Sequence, residues 1–216
     1  MTEINIKHHL VNKHWDLSNQ ILYDLCSNHF YHKNDDAILA KTFIIGRTYA
    51  VALERRKNKV ASDISDDFYT TDVLNAFKNY DIDKDLSELS SIILSEDSIL
   101  AILQTHYKLQ VQLRKITEME KRSFCSKYLH FHLPNLFYIY DSRAETAIRN
   151  FEKKVDKNLT QYLNHQDIDK TYATFFLKCF ALKQKLDREN ELNVTPRQID
   201  NLLIEIANKP RNSHKT

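Results

Sequence analysis

The sequence predicts an all-α protein, and three observations carry that expectation. Glycine occurs once and proline three times in 216 residues, whereas sheets joined by tight turns draw on glycine for positive φ and helices do not. Apolar residues recur at three- and four-residue intervals through most of the chain. Thr195-Pro196-Arg197-Gln198 has the composition of a helix start: Thr195 caps, Pro196 fits the first helical position, and Gln198 completes a capping box. The expected architecture is a bundle of about eight to ten helices, either one domain over residues 1–209 or two lobes about a cleft, with a frayed tail at 210–216.

In chain order, Ser18 can cap a helix through Ile21, Leu22, Leu25 and Cys26, and Asp35-Asp36 precede a long helix over about 37–57. Further helices are expected at about 64–79, 86–94, 97–117, 122–132, 142–151, 168–188 and 196–208, with polar loops at 80–84 and 156–164. Gly46 inside the long helix costs about 1 kcal/mol relative to alanine, so its presence suggests close approach by another backbone or a ligand.

Several function classes are disfavoured. Cys26, Cys125 and Cys179 are odd in number and far apart, with no CxxC, which argues against a disulfide framework or a zinc knuckle. Ten histidines do not assemble into a metal motif: His130 and His132 lie about 200° apart on a helix, His29-x-x-His32 has no obvious carboxylate or thiol partner, and His8, His9 and His14 sit in a polar stretch. No metal and no cofactor are expected. No apolar run approaches a membrane span and no signal-peptide core opens the chain, so a cytoplasmic monomer without membrane contact is the expectation.

The net charge of +2 hides an asymmetry. Residues 1–106 hold 11 basic and 16 acidic side chains, 107–160 hold 11 and 6, and 161–216 hold 9 and 7. The basic excess falls on the segment richest in chemistry, as a site for a polyanion requires, although such an excess is also common on helical surfaces.

That segment, residues 123–144, combines a lysine, a carboxylate and dense aromatics. It reads as a helix with Lys127 near its start, a stop at Pro134, an aromatic return, and a new helix opened by Asp141. On a helical wheel Phe124, Tyr128 and Phe131 form one stripe with Cys125, Leu129 and His132 beside it, Ser126 and His130 point elsewhere, and Lys127 falls at the edge. Burial and a first-turn position would both lower the pKa of its amine. A neutral amine can attack a sugar C1′ through a Schiff base; alternatively, Lys127 snorkels with its head in water. Asp141 reads as a helix N-cap. Facing Lys127, it would also orient the amine or stabilise a cationic sugar.

Residues 123–144 resemble bacterial proteins with an 8-oxoguanine DNA glycosylase fold, relatives of the helix-hairpin-helix glycosylases, and so does the upstream segment 45–56. The resemblance implies a helical DNA glycosylase with Lys127 as nucleophile and Asp141 as its assistant. It implies a DNA partner carrying a modified or damaged base, and a role in repair or in defence against phage with modified bases. Phe131, His132, Phe137, Tyr138 and Tyr140 would line the pocket of a flipped base, and Arg143 would join them. No glycine stands in 121–126, so Lys121, Arg122, Ser123 and Ser126 are expected to hold phosphate. In the upstream helix, Arg47 and Arg55 would contact phosphate or base with Glu54 positioning them, or an Arg–Glu pair simply ties two helices together. The alternative to an enzyme is a non-catalytic nucleic-acid-binding or defence-accessory protein whose Lys127–Asp141 segment is a structural joint.

Overall fold

The computed structural model describes residues 16–57 and 65–208; His8, His9, His14, the start of the expected 64–79 helix and the 210–216 tail lie outside them. The described residues are helical, with no strand. Their α-helices are α1 (Asp16–Asn28), α2 (Asp35–Thr48), α3 (Ser65–Phe68), α4 (Leu74–Lys78), α5 (Ile82–Ser90), α6 (Ile99–Thr117), α7 (Arg122–His132), α8 (Ser142–Ile148), α9 (Lys170–Asn190) and α10 (Pro196–Asn208). A π-helical turn (Tyr69–Val73) joins α3 to α4, and 3-10 turns lie at Glu96–Ser98 and Lys157–Asn164.

The capping chemistry explains most boundaries. Asn34, rather than the aspartates after it, caps α2 by accepting from the Ala37 amide at 2.9 Å; Asp35 and Asp36 fill the first turn, where negative charge suits the helix dipole. Ser18 lies inside α1, whose first described residue is Asp16. Asp81 accepts from the Lys84 amide and starts α5 earlier than expected. The stretch expected as a loop at 156–164 instead winds into a 3-10 turn capped by Asp156. Before α10 the expected capping box is present: the Thr195 amide donates to Gln198 Oε1 at 2.9 Å and the Gln198 amide to Thr195 Oγ1 at 3.3 Å.

The largest departure is α2, which stops at Thr48 instead of continuing to 57. Ala50 adopts φ 54°, Val51 N donates to Gly46 O at 2.8 Å and Ala50 N to Arg47 O at 3.2 Å. This is a Schellman closure with alanine in the left-handed position usually held by glycine. The chain then doubles back on the helix, and a Cβ at Gly46 would lie 3.2 Å from Ala52 Cα. Gly46 is therefore present for the backbone approach its position suggested. Glu118 and Glu191 adopt the same left-handed conformation at the ends of α6 and α9. In a chain this poor in glycine, helix ends carry strain. Ala50→Gly is expected to raise stability by about 0.5–1 kcal/mol in urea unfolding, because glycine adopts this φ without a Cβ clash.

The core centres on α7, which packs against α1, α2 and α6. Every residue from Phe124 to His132 is buried. This corrects the wheel expectation that Ser126 and His130 face away from the interior: α7 is enclosed on all sides, so its polar positions must bond inward. The α8 and α10 helices pair closely, with α9 against both, and their meeting with α1 and α7 forms the site below.

Candidate functional site

Nothing in residues 133–141 pairs as a sheet, yet Leu133 and residues 136–139 are buried, so their backbone polar groups need partners. Side chains supply them. His130 Nδ1–H donates to Phe137 O at 2.7 Å, and Tyr172 of α9 donates to Tyr138 O at 3.0 Å. Ser126 Oγ accepts from Tyr140 N at 2.9 Å, and Ser123 Oγ donates to Tyr140 O at 2.9 Å. The return segment is fixed by α7 and α9, which sets where Asp141 emerges.

Lys127 is 2% exposed. Its Nζ donates to Ser123 Oγ at 2.8 Å and to Tyr140 O at 2.8 Å, and sits 5.7 Å from the Tyr49 ring centroid. Burial lowers its pKa to about 8, and the nearby Asp141 and Asp200 carboxylates only partly oppose that. Arg122 opens α7, so Lys127 stands in the second turn rather than the first; desolvation, not the helix terminus, is the principal cause. Two N–H directions of a neutral amine are taken by Ser123 and Tyr140. One tetrahedral direction remains for a lone pair.

Asp141 caps α8, accepting from the Arg143 amide at 2.8 Å, with Arg143 Nε 3.5 Å from the carboxylate. Lys127, Asp141 and Arg143 all line a cavity of about 440 Å³, together with Tyr49, Ile139, Asp200 and Ile204. That volume lies within the range of small-molecule sites. The lysine and carboxylate singled out by the sequence thus share one cavity.

Other expected residues are placed elsewhere. Phe131, His132 and Tyr138 are core side chains, 2%, 6% and 1% exposed, and cannot stack on an incoming base in this arrangement. Phe137 is likewise buried. Tyr140 packs its ring edge-on against Phe175 and contributes its carbonyl, not its face, to Lys127. The expected phosphate ligands are spent internally. Lys121 Nζ donates to Ala52 O at 3.3 Å and to Arg55 O, Arg122 Nε pairs with Asp169 at 2.6 Å, and Ser123 and Ser126 brace the return segment. Arg47 pairs with the buried Glu54, which also accepts from Tyr69 at 2.6 Å; Arg55 reaches Ala50 O at 3.4 Å. None of these three lines the cavity; Glu54 ties the turn after α2 back to that helix through Arg47 and to the π turn through Tyr69.

Of the cavity residues, only Lys127, Asp141 and Arg143 were expected from the sequence; among the others, Tyr49 and Asp200 bear on the chemistry. Tyr49, at the end of α2, supplies the aromatic wall. Asp200, on α10, is buried beside Arg197, whose Nη1 lies 3.1 Å from Asp200 Oδ2. Arg197 also donates to Tyr23 at 2.9 Å. Tyr23 is 2.7 Å from His130 Nε2, which accepts because Nδ1 is the donor to Phe137 O. Burial raises the pKa of Asp200, against the pull of Arg197 and Lys127. The signal was present: Asp200 sits between Ile199 and Leu203 on the apolar side of an amphipathic helix, where an unpaired carboxylate is costly.

Comparison of the chain with protein-family models, with curated proteins and with solved structures finds no match in any of the three. Among the described residues no helix is long and apolar enough to cross a membrane. No group of three or more histidine, cysteine or acidic side chains among them is placed to hold a metal ion.

Proposed function

We propose that the protein is a DNA glycosylase that removes a modified or damaged base by attack at C1′, acting in repair or in defence against phage DNA with modified bases. One observation carries the reading: a buried lysine with its pKa drawn down to about 8 opens into a cavity that also holds two carboxylates. An amine nucleophile must be neutral to attack, and desolvation makes the neutral form accessible near physiological pH. The flipped base rests against Tyr49, with Ile139 and Ile204 as apolar walls, while Asp141 faces the sugar and stabilises its developing positive charge. Arg143, exposed beside Asp141, is the cation placed to meet phosphate.

The competing reading, a non-catalytic nucleic-acid-binding or defence-accessory protein, draws on a different fact. Both hydrogen bonds of Lys127 end on Ser123 and Tyr140, so the residue also braces the joint between α7 and the return segment. Borohydride trapping separates the two. The enzyme forms a covalent adduct with duplex DNA containing an abasic site, and loses it when Lys127 is replaced; a binder retains DNA affinity and gives no adduct.

A further inference from the structure

We propose that Asp200 is the catalytic acid and base that moves the proton at C1′, distinct from Asp141; the inference deepens the glycosylase reading and rests on it. The two carboxylates in the cavity are held differently. Asp141 is half-buried and committed to its helix, capping the Arg143 amide. Asp200 lines the same cavity from α10, is 9% exposed, and has Oδ2 fixed by Arg197. It lies close enough to Lys127 for each to alter the other's proton affinity. A carboxyl group that is buried, oriented through one oxygen and electrostatically coupled to the nucleophile has the attributes of a proton-transfer group.

On an abasic site the step balances as follows. The lone pair of neutral Lys127 Nζ forms a bond to the aldehyde carbon C1′, and the carbonyl electron pair moves to oxygen. Protonated Asp200 gives its proton to that oxygen and takes one from the now-cationic nitrogen, giving a carbinolamine and leaving the acid protonated. Protonated Asp200 then donates its own proton to the hydroxyl, the C1′–O bond breaks, water leaves, and the nitrogen pair forms the iminium. Asp200 ends as a carboxylate beside the iminium cation. In base excision the amine displaces the base at C1′ as Asp200 protonates the departing base nitrogen; Asp200 then takes a proton from the attacking nitrogen and passes it to O4′ as the C1′–O4′ bond breaks, giving the same iminium.

The groups facing Asp200 leave the coupling to Lys127 as the titration that matters near neutrality. Arg197 on its own helix stays charged, because Asp200, Tyr49 and Tyr23 hold its pKa up against burial, and Arg143 of α8 lines the same cavity. Tyr23 of α1, Tyr49 after α2 and Cys179 of α9 have raised pKa values and stay neutral, and Asp141 lines the same cavity from the start of α8. Lys127 and Asp200 thus hold one proton between them, and the reactive arrangement places it on the acid.

The test is the rate of cyanoborohydride-trapped adduct formation on a duplex containing an abasic site, followed from about pH 6 to about pH 9. For the wild type the rate is level below about pH 8 and declines above it, as the shared proton is lost. In Asp200→Asn it is about 100-fold slower near about pH 6.5 and climbs with pH, because only the neutral amine is then required. Asp141→Asn lowers the rate but keeps the descending limb. A descending limb that persists in Asp200→Asn overturns the proposal, as does a wild-type rate that fails to decline above about pH 8, a result independent of whether the variant folds. A wild-type protein that forms no adduct at all removes the glycosylase reading, and this inference with it.

Discussion

Acidification from about pH 7.5 to about pH 5.5 is expected to remove about 4–6 kcal/mol of stability, through four histidines buried in neutral form. His32, His106, His130 and His132 all lie in the core. Burial is the principal cause of their lowered pKa values, with Lys41 adding to it at His32 and His132 and Arg197 at His130. His32 is drawn to about 3 and His106 to about 4, and the other two fall well below the usual value. The hydrogen bonding explains why. His132 donates through Nδ1 to Tyr128 O and accepts at Nε2 from Lys41 at 3.2 Å. His106 donates through Nε2 to Arg122 O, stacks on Tyr172 at 3.7 Å, and leaves Nδ1 without a partner. A second proton would meet a donor or an apolar wall in each case.

His32 is the mixed case. Asp83 lies 2.6 Å from Nδ1 and favours an imidazolium, whereas Nε2 already accepts from Tyr128 at 2.5 Å and faces Lys41 at 3.4 Å. The neutral ring satisfies both sides, since Nδ1–H donates to Asp83 without a further proton. Folded pKa values below the unfolded 6.5 mean that the unfolded chain binds more protons once the pH drops through 6.5, so stability falls with pH from there down to about 4. At about pH 5.5 each such histidine forfeits about 1.4 kcal/mol; three to four of them approach the whole stability of an ordinary domain. Urea midpoints followed by circular dichroism at the two pH values check this. An unchanged midpoint would show that the rings are protonated or solvated in the native state.

The sequence showed the helices because they depend on local signals: apolar spacing, caps and the near-absence of glycine. It also brought Lys127 and Asp141 forward, since one interrupts an aromatic helix and the other opens the next. Other features depended on contacts made at long range. Nothing local announces that α2 ends at Thr48, because the closing residue is Ala50 and its reason is the backbone packed on Gly46. Nothing local distinguishes Tyr49, which lines the cavity, from Tyr138, which is buried. The basic pair Lys121-Arg122 reads as a phosphate clamp until its partners, Ala52 O and Asp169, are seen to come from 69 and 47 positions away. Charge in sequence is a poor guide to charge available at a surface.

Lys127→Met is expected to abolish adduct formation with abasic DNA, by at least about 10⁴-fold, while leaving the protein as stable as the wild type or slightly more so. The loss of reaction follows from removing the amine. The retained stability is less obvious and discriminates between the two readings of the residue. A lysine whose pKa falls to about 8 when buried carries about 3 kcal/mol of desolvation cost in its charged form near neutrality. Methionine fills the same elongated space without that cost. Two hydrogen bonds are lost, yet neither leaves an orphan: Tyr140 O keeps the Ser123 hydroxyl as donor at 2.9 Å, and Ser123 Oγ keeps Tyr140 O as acceptor. A lysine retained only to brace the joint would give the opposite outcome, a lower melting temperature with no reaction to lose. Thermal unfolding and borohydride trapping on the same preparation decide between them: a variant that melts well below the wild type, beside a wild type that forms no adduct, would make Lys127 a brace.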